Sequence, residues 1–499
     1  MKNLKQDFAK RLKDNQYKEV FSTFSGKNYT SIQIESYYFS IINNVDQKSN
    51  SIVFLSDPST DSHILSTFLI LSGFDVYLTT NLDPGIINLD SSLTIITLSS
   101  KMYNQIEKLD LSNKLIKAYS IDQFLKLNKD LYVYKDQIYD YHKLKNIGKS
   151  IFLSSGSTGN PKIIPLNYDQ INSCYNNVCN GFLSNLNFQN ILSLHDTSFV
   201  IILPFIFCLA SKNNTKLVAS DFSLAYNPIL SISSKIKSIN NFILISVPSI
   251  FRLLFKLHKK SFENIVSRGS FISCGEPLDK NLAYKIKTLN PHSFFNLYGS
   301  TEVSPWILYL NVIDFIDGFN SINDLPVVLP AGKELPGVNV ILSKDEELLV
   351  SSDSVFYGYE NQVDSSPFLR IDSYKFFQTG DQFQINDQFY YCKGRLNSSV
   401  KIGGIFVNPI LLEIEIKEAI SIENIIILPE IFSIELIIVI FNNQSSSLDK
   451  SIINKIKDTI YNNISRKIPT QFVFEKKDIM YLKSGKINRK YYMDKYVNT

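Results

Sequence analysis

Strand-like and helix-like stretches alternate along the first three hundred residues, and this alternation limits the chain to a few kinds of fold. Residues 51–80 read SIVFLSDPSTDSHILSTFLILSGFDVYLTT: a β-branched run, a polar turn, an apolar pattern of helical period, a glycine and a second strand-like run. The order recurs over 242–290, where FILISVP, SIFRLLFKLHKK, GSFISCG and LDKNLAYKIKTLN follow one another. A strand, a helix and a second strand form a βαβ unit with parallel strands. The chain is therefore predicted to be an α/β protein.

The pattern changes twice in the second half of the chain. From residue 325 to 395, strands such as ELPGVNVILSK, EELLVSS and QFYYCKGR, separated by turn residues, predict a small antiparallel β part. Residues 396–499 alternate between strands and helices and are long enough for a separate α+β domain. We therefore predict a large N-terminal domain over 1–395, with βαβ subdomains and the antiparallel part, and a smaller C-terminal domain over 396–499.

Composition and charge argue against several functional classes. With 51 basic and 47 acidic residues, the formal net charge is only +4, which argues against nucleic-acid binding. The five cysteines are scattered and the five histidines isolated, so neither disulfides nor a zinc site is expected. The charged N-terminus, which predicts an amphipathic surface helix, lacks the apolar segment of a signal peptide. The longest apolar run, 199–210, is too short for a membrane span. A cytoplasmic protein without a membrane span is expected.

A segment rich in glycine and serine, FLSSGSTGNPK at 152–162, has the composition of a phosphate-binding loop. Glycines allow backbone amides to converge on an anion, hydroxyl groups add donors, and Lys162 adds positive charge. The segment is not a P-loop, because GxxxxGK[ST] occurs nowhere in the chain. On composition alone, a polar surface loop is an equal alternative.

Five further segments follow this loop along the chain: ISCGEPLD (272–279), NLYGSTE (296–302), FQTGD (377–381), GRLNSSVKIGG (394–404) and LKSGKINRK (482–490). In order and spacing, the six segments resemble the core motifs of the adenylate-forming, or AMP-binding, enzyme superfamily. That superfamily includes acyl-CoA synthetases, aryl-acid ligases and the adenylation domains of nonribosomal peptide synthesis. The resemblance is strongest to stand-alone amino-acid adenylation domains.

The resemblance implies a reaction with ATP and Mg²⁺, in which a carboxylate attacks the α-phosphate and pyrophosphate leaves. Both reactants are negative, so the site must supply cations and hydrogen-bond donors. The resemblance assigns the α-phosphate to Thr301 and Mg²⁺ to Glu302 and Thr158. The other implied nucleotide-binding residues are Ser154, Ser155, Gly156, Ser157, Gly159, Lys162, Gly275, Glu276, Pro277, Asn296, Leu297, Tyr298, Gly299 and Ser300.

Further positions towards the C-terminus complete the implied machinery. Asp381 is expected to accept hydrogen bonds from both ribose hydroxyls, and Arg395 to lie beside the ribose. Lys486 is expected to be catalytic, together with Glu302 and Thr301, by binding the substrate carboxylate and the α-phosphate. The C-terminal domain is expected to be mobile about a hinge at Asn397, where the family usually has Asp or Lys.

The segment LSLHDTSFVIILPF (192–205) indicates which acid is activated. Asp196 falls where amino-acid-activating members place the carboxylate that pairs with the substrate α-ammonium, and a buried carboxylate without a cation is costly. The alternative is that Asp196 caps a helix N-terminus. By resemblance the substrate pocket is lined by Thr197, Val200, Ser246, Ile272, Cys274, Leu297, Pro305 and Trp306. Because these are mostly apolar, a neutral amino acid of modest size is predicted.

The acyl acceptor is expected to be a thiol from outside the chain, on a carrier protein with phosphopantetheine or on coenzyme A. Carrier proteins of these systems are typically acidic, and basic residues become frequent from Arg466 to Lys495, which suits such a partner. An acyl- or aryl-CoA ligase acting on a plain acid is the alternative enzyme. A non-catalytic nucleotide-binding relative is a further alternative.

Overall fold

The computed structural model describes most of the chain. The described ranges are 2–14, 18–42, 51–80, 93–107, 115–117, 120–127, 148–154, 162–220, 232, 238–360, 366–396, 400–402, 405–420, 425–430, 435–441, 450–464, 468–475, 479–480 and 487–497. Within these ranges, no helix is both long enough and apolar enough to cross a membrane.

The largest sheet has nine described strands. In spatial order they are β15 (Lys333–Glu334), β14 (Leu308–Asn311), β13 (Ser293–Tyr298), β12 (Gly269–Cys274), β11 (Phe242–Ser246), β9 (Asn190–Leu192), β10 (Lys216–Ala219), β1 (Glu19–Thr23) and β2 (Asn28–Thr30). Strands β13 through β1 in this order are mutually parallel, and the edge strands pair antiparallel. The parallel sheet predicted over 242–290 is confirmed.

A second sheet has six described strands. Across this sheet they are β6 (Leu115–Lys117), β5 (Thr94–Thr97), β3 (Ser51–Leu55), β4 (Asp75–Thr79), β7 (Lys149–Ser154) and β8 (Lys162–Asn167). All neighbours are parallel except β7 and β8. The predicted βαβ unit at 51–80 is therefore confirmed.

Helices cover the sheets. They are α1 (Leu4–Asp14), α2 (Ser31–Ile42), α3 (Thr60–Ser72), α4 (Ser100–Glu107), α5 (Ile121–Leu127), α6 (Tyr168–Gly181), α7 (Ile202–Ser211), α8 (Pro248–Leu257), α9 (Lys259–Val266), α10 (Lys280–Thr288) and α11 (Val312–Asp317). Helices α1, α2, α3, α6 and α7 share one central core with strands of both sheets. Helices α8 to α11 pack on the other face of the nine-stranded sheet.

Helix α3 is buried along its whole length between the two sheets. The Ser59 hydroxyl accepts a hydrogen bond from the Ser62 amide and caps its N-terminus. At the other end, Gly73 has φ 92°, a left-handed conformation that glycine adopts without strain. These two signals fix the length of α3, and so fix which of its side chains reach the nine-stranded sheet.

The antiparallel part predicted between 325 and 395 is confirmed. Its strands are β16 (Asn339–Leu342), β17 (Glu347–Ser351), β18 (Phe368–Ile371), β19 (Tyr374–Asn386) and β20 (Phe389–Arg395), and every pairing among them is antiparallel. Phe377 and Phe383 of β19 join the central core, so this part packs directly on the larger α/β unit.

The C-terminal part has its own elements. They are the hairpin β21 (Val400–Ile402) and β22 (Ile405–Val407), the sheet of β23 (Ile425–Glu430), β24 (Glu435–Phe441) and β25 (Thr470–Glu475), and helices α12 (Pro409–Ile420), α13 (Lys450–Ile464) and α14 (Arg489–Tyr496). The chain is a mixed α/β protein, as predicted. The domain boundary at residues 395 and 396 stays a prediction.

Candidate functional site

The predicted site residues of the N-terminal part follow the carboxyl ends of neighbouring strands. Asp196 comes shortly after β9, Ser246 ends β11, Cys274 ends β12, and Tyr298 ends β13. Because β9, β11, β12 and β13 are parallel neighbours, these residues lie along one edge of the sheet. Ligands of open parallel sheets bind at this edge, outside the carboxyl ends of the strands.

Asp381 lies between two donors from separate motif segments. The Tyr298 hydroxyl donates to Oδ2 at 2.6 Å, and Arg395 Nε donates to Oδ1 at 3.1 Å. The Asp381 side chain is only 11% exposed, whereas that of Arg395 is 66% exposed. Burial raises the pKa of Asp381, and the nearby Arg395 opposes that rise. Burial and the adjacent carboxyl group raise the pKa of Tyr298, so its hydroxyl keeps the proton it donates.

Glu302 lies in a short helical turn, Thr301–Val303, directly after β13. Its Oε1 accepts a hydrogen bond from the Tyr359 hydroxyl at 2.9 Å, and its carbonyl accepts one from the Phe356 amide at 2.8 Å. Lys162 Nζ lies 4.7 Å from the centre of the Tyr359 ring. Tyr359 therefore connects Glu302 to the lysine that ends the predicted phosphate loop.

Gly299 allows the backbone to pass closely at this edge. A Cβ atom at Gly299 would lie 1.9 Å from the carbonyl oxygen of Pro305 and 2.8 Å from the Cα of Trp306. Only glycine fits such a contact, because real side chains do not approach backbone atoms so closely. The position is therefore required for the turn that carries Ser300, Thr301 and Glu302.

Several other predicted nucleotide-binding residues are engaged in contacts within the protein. Glu276 accepts hydrogen bonds from the amide and hydroxyl of Ser249, both at 3.0 Å, and thereby caps α8. Asn296 Nδ2 donates to the Pro330 carbonyl at 3.0 Å. Leu297 is buried in the central core. Partly or fully exposed surface remains at Gly275, Glu276, Pro277, Ser300 and Thr301.

Asp196 is buried, with 5% of its surface exposed. Its Oδ1 accepts the Ser198 amide and the Ser56 hydroxyl, both at 2.8 Å. Among the described residues, none donates a hydrogen bond to Oδ2 and no Lys or Arg forms an ion pair with the carboxylate. The alternative that Asp196 caps a helix is wrong, because α7 begins only at Ile202 and its cap residue is Ile201.

The predicted pocket residues are mostly buried. They either lie close to Asp196 in sequence or follow the strands along the same sheet edge. The buried members are Thr197, Ser246, Ile272, Cys274, Leu297, Pro305 and Trp306, and Val200 is half-buried. Two polar members already have protein partners. Ser246 Oγ lies 3.0 Å from His195 Nε2, and the Thr197 hydroxyl accepts from Ser66 Oγ at 2.8 Å.

Comparison with known proteins finds a family that part of this site resembles. Residues 149–360 match the family described as AMP-binding enzyme. This segment, less than half of the chain, is similar to that family. The match contains β7 through the end of β17 and includes Asp196, Gly299 and Glu302.

Relatives of this chain include D-alanine--D-alanyl carrier protein ligases. The protein of Staphylococcus epidermidis is 24% identical over 303 residues, 58% of this chain and 59% of the relative. That of Bacillus licheniformis is 26% identical over 362 residues, 68% of this chain and 69% of the relative. The chain thus spans about three-fifths of the length of the first of these. Among solved structures, Klebsiella oxytoca NpsA in complex with 3-hydroxyanthranilyl-AMSN has a TM-score of 0.76 at 16% identity, covering 99% of each chain.

Several predicted site residues lie outside the described part of the chain. They are Ser155, Gly156, Ser157, Thr158, Gly159, Asn397 and Lys486. Ser154 is the last residue of β7 and Lys162 the first of β8, so the two ends of the predicted phosphate loop lie side by side. Arg489, which follows Lys486, pairs with Glu413 at 2.6 Å and begins α14.

Four side chains at this site were missed by sequence reasoning: Ser56, His63, His195 and Tyr359. Tyr359 and Ser56 lie in no motif, and their partners are 57 and 140 residues away in the chain. His195 directly precedes Asp196, and this position was the only signal available for it. Ser56, Tyr359 and His195 each bond to one predicted site residue through a side-chain hydrogen bond. His63 bonds instead to Ser193, in the loop that bears Asp196.

Proposed function

We propose that this chain is an ATP-dependent ligase that activates an amino acid and passes it to a thiol. In the first step a substrate carboxylate oxygen bonds to the α-phosphorus of ATP, and the bond to pyrophosphate breaks. In the second step a thiol attacks the acyl carbon, the thiol proton is lost, and AMP leaves with the electron pair. The reaction consumes ATP, and the five cysteines are unpaired thiols. Both features suit a reducing cytoplasm, which we propose as its compartment.

The cluster of Asp381, Tyr298, Arg395 and Glu302 is the observation that carries the proposal. Each Asp381 oxygen has one described protein donor, and a carboxylate oxygen can accept a second hydrogen bond. Both oxygens therefore remain able to accept the two ribose hydroxyls. Arg395 is mostly exposed, so its guanidinium can turn from Asp381 towards a phosphate or the ribose when nucleotide enters.

Glu302 fits the Mg²⁺ ion that the family implies. A carboxylate oxygen is a ligand that Mg²⁺ prefers, and Mg²⁺ on nucleotides is commonly bound by one or two carboxylates together with phosphate oxygens. Tyr359 donates to Oε1 and so orients the carboxylate, and no described side chain donates a hydrogen bond to Oε2, which is left for the ion. When bound, the ion would neutralise negative charge on the phosphates. Glu302 would hold the ion, and Tyr359 would keep the Glu302 carboxylate in place.

Asp196 supports an amino acid as the acid that is activated. An ionised carboxylate removed from water needs a counter-charge, and the described residues offer none. A substrate α-ammonium would supply the charge and donate to Oδ2. The D-alanine specificity in the names of the relatives agrees with a small neutral amino acid and with a carrier-protein thiol as acceptor. Coenzyme A is the alternative acceptor.

The test is ATP–pyrophosphate exchange with Mg²⁺ across the common amino acids, their D-enantiomers, and a panel of aryl and alkyl acids. We expect exchange with one or a few neutral amino acids, and loss of exchange in Lys486→Ala. Exchange only with acids that lack an amine would instead support an acyl- or aryl-CoA ligase. ATP binding without exchange for any acid would support a nucleotide-binding relative and overturn the proposal.

A further inference from the structure

Three side chains before the family match contact the loop after β9. Ser56 Oγ donates to Asp196 Oδ1 at 2.8 Å, Ser66 Oγ donates to Thr197 Oγ1 at 2.8 Å, and His63 Nε2 lies 2.7 Å from Ser193 Oγ. Ser56 follows β3 of the six-stranded sheet, and the other two lie on α3. The loop that bears Asp196 is thus held from outside residues 149–360.

His63 and Ser66 contact the loop from one face of α3. They are three residues apart on the helix, so their side chains lie on neighbouring turns of the same face. His63 Nδ1 lies 2.7 Å from the Ser59 carbonyl, which can only accept, so Nδ1 carries the hydrogen. Burial lowers the pKa of His63 to about 4, so the ring is neutral near pH 7 and Nε2 accepts from the Ser193 hydroxyl. The contact fixes the position of the loop without adding charge beside Asp196.

Ser56 acts on the carboxylate itself. Together with the Ser198 amide it occupies Oδ1, and these two donors set the rotation of the carboxylate about its Cβ–Cγ bond. The other oxygen, Oδ2, has no described donor and is left for a ligand.

We infer that Ser56 is a positioning and specificity residue for amino-acid substrates, because it holds the Asp196 carboxylate in the orientation that leaves Oδ2 for the α-ammonium. This inference rests on the proposed function. It adds that selection for an amine depends on a residue directly after β3 of the six-stranded sheet, outside the family match. Ser56 touches Asp196 and not the reacting carboxyl group, so it is not a catalytic residue.

The test compares Ser56→Ala with wild type in ATP–pyrophosphate exchange, using the best amino acid and its desamino analogue. Loss of one hydrogen bond to a charged group should raise KM for the amino acid about tenfold. KM for ATP should change little, and the preference for the amino acid over the desamino analogue should fall by a similar factor. Ser56→Thr keeps the hydroxyl and should restore most of the preference.

Ser72→Ala is the matched control, because Ser72 is a buried serine at the far end of α3 from Ser56. Its hydroxyl donates to the Leu69 carbonyl at 2.6 Å and accepts from the Phe74 amide at 3.4 Å. If Ser56→Ala raised KM equally for the amino acid, the desamino analogue and ATP, the substitution would have damaged the structure in general. That result would overturn the inference. If Ser56→Ala does not fold, Ser56→Cys, with a weaker donor of similar shape, gives the same comparison.

The two proposals fail in different ways. Wild-type exchange with an amino acid, abolished in Asp196→Ala but unaltered in Ser56→Ala, overturns the role of Ser56 and leaves the proposed function standing. Absence of exchange with any amino acid in the wild type overturns both.

Discussion

The Asp381 side chain lies between a buried phenol and an exposed guanidinium, and this asymmetry gives it two functions. Tyr298 fixes one carboxylate oxygen from below the site, with its ring packed against Phe383 at 4.8 Å between ring centres. Arg395 covers the other oxygen from solvent. In the proposed reaction the oxygen held by Tyr298 sets the orientation of the Asp381 carboxylate, and Arg395 moves aside to admit the ribose.

Asp381→Asn should weaken nucleotide binding more than it weakens the fold. The amide still accepts from Tyr298 but loses the charge that attracts Arg395 and strengthens hydrogen bonds to ribose. KM for ATP should rise about 10- to 100-fold, from loss of charged hydrogen bonds worth about 1.5–3 kcal/mol. Steady-state exchange kinetics measure this. Asp387→Asn, at an exposed turn, should leave KM unchanged; an unchanged KM in Asp381→Asn would contradict the nucleotide role.

Gly299→Ala should destabilise the fold, because its Cβ would overlap the Pro305 carbonyl. The backbone of one of the two segments must move, which we expect to cost about 2–4 kcal/mol of unfolding free energy. Chemical denaturation measures the change. Gly318→Ala is the control, since its Cβ would lie 3.3 Å from the nearest atom, the Phe315 carbonyl oxygen. Equal stability of the two variants would show that the close approach at Gly299 is not required.

At the scale of elements, helix α3 shows what the sequence pattern can and cannot predict. Its existence follows from the βαβ pattern at 51–80, and its ends follow from Ser59 and Gly73. The sequence pattern does not predict the contact of α3 with the loop that bears Asp196. That contact depends on how two sheets pack, whereas periodicity describes only one element at a time. For the same reason the pairing of Tyr359 with Glu302 was missed, whereas Glu302 and Asp381 were found from their motifs.

The neutral His63 of α3 should give a measurable dependence of stability on pH. Burial lowers its pKa from 6.5 to about 4. Below pH 6.5 the unfolded chain takes up a proton that the folded protein does not bind until about pH 4. Protonation of this histidine in the unfolded chain therefore lowers the free energy of unfolding as pH falls from 6.5 to 4, by at most about 3 kcal/mol.

His63→Gln removes this proton uptake, so its stability deficit against wild type, measured by denaturation, should narrow as pH falls from 6.5 to 4. Burial raises the pKa of Asp61 and of Glu35 to about 7, which acts in the opposite direction. Both groups are present in wild type and variant, so they cancel in the difference. His292→Gln, at an exposed histidine, controls for the substitution itself. A deficit that stays constant or widens would contradict a neutral buried His63.

At the scale of the whole molecule, the hydrophobic cores divide near the predicted domain boundary. The described members of the central core and of the core beneath α8 to α11 all precede residue 396. Those on the two faces of the C-terminal sheet all follow residue 406. Described contacts between the two parts include the Lys280–Glu418 ion pair and the hydrogen bond that the Asn408 amide donates to the Lys393 carbonyl at 2.8 Å.

A fragment of residues 1–395 should therefore fold alone, with a single cooperative thermal transition, and bind ATP without catalysing exchange because Lys486 is missing. Calorimetry and circular dichroism measure this. A fragment ending at residue 360 is the matched control, since it removes Phe377, Phe383 and Tyr390 from the central core and should not unfold cooperatively. Failure of the 1–395 fragment to fold would contradict the predicted boundary.

The central claim is that this chain forms an acyl adenylate, and mass spectrometry of the reaction products tests it most directly. The protein would be incubated with ATP, Mg²⁺ and the amino acid that supports exchange, without a thiol acceptor. The account predicts aminoacyl-AMP and pyrophosphate in equal amounts, both absent in Lys486→Ala. Release of ADP and phosphate, or no product from any acid while ATP is bound, would contradict it.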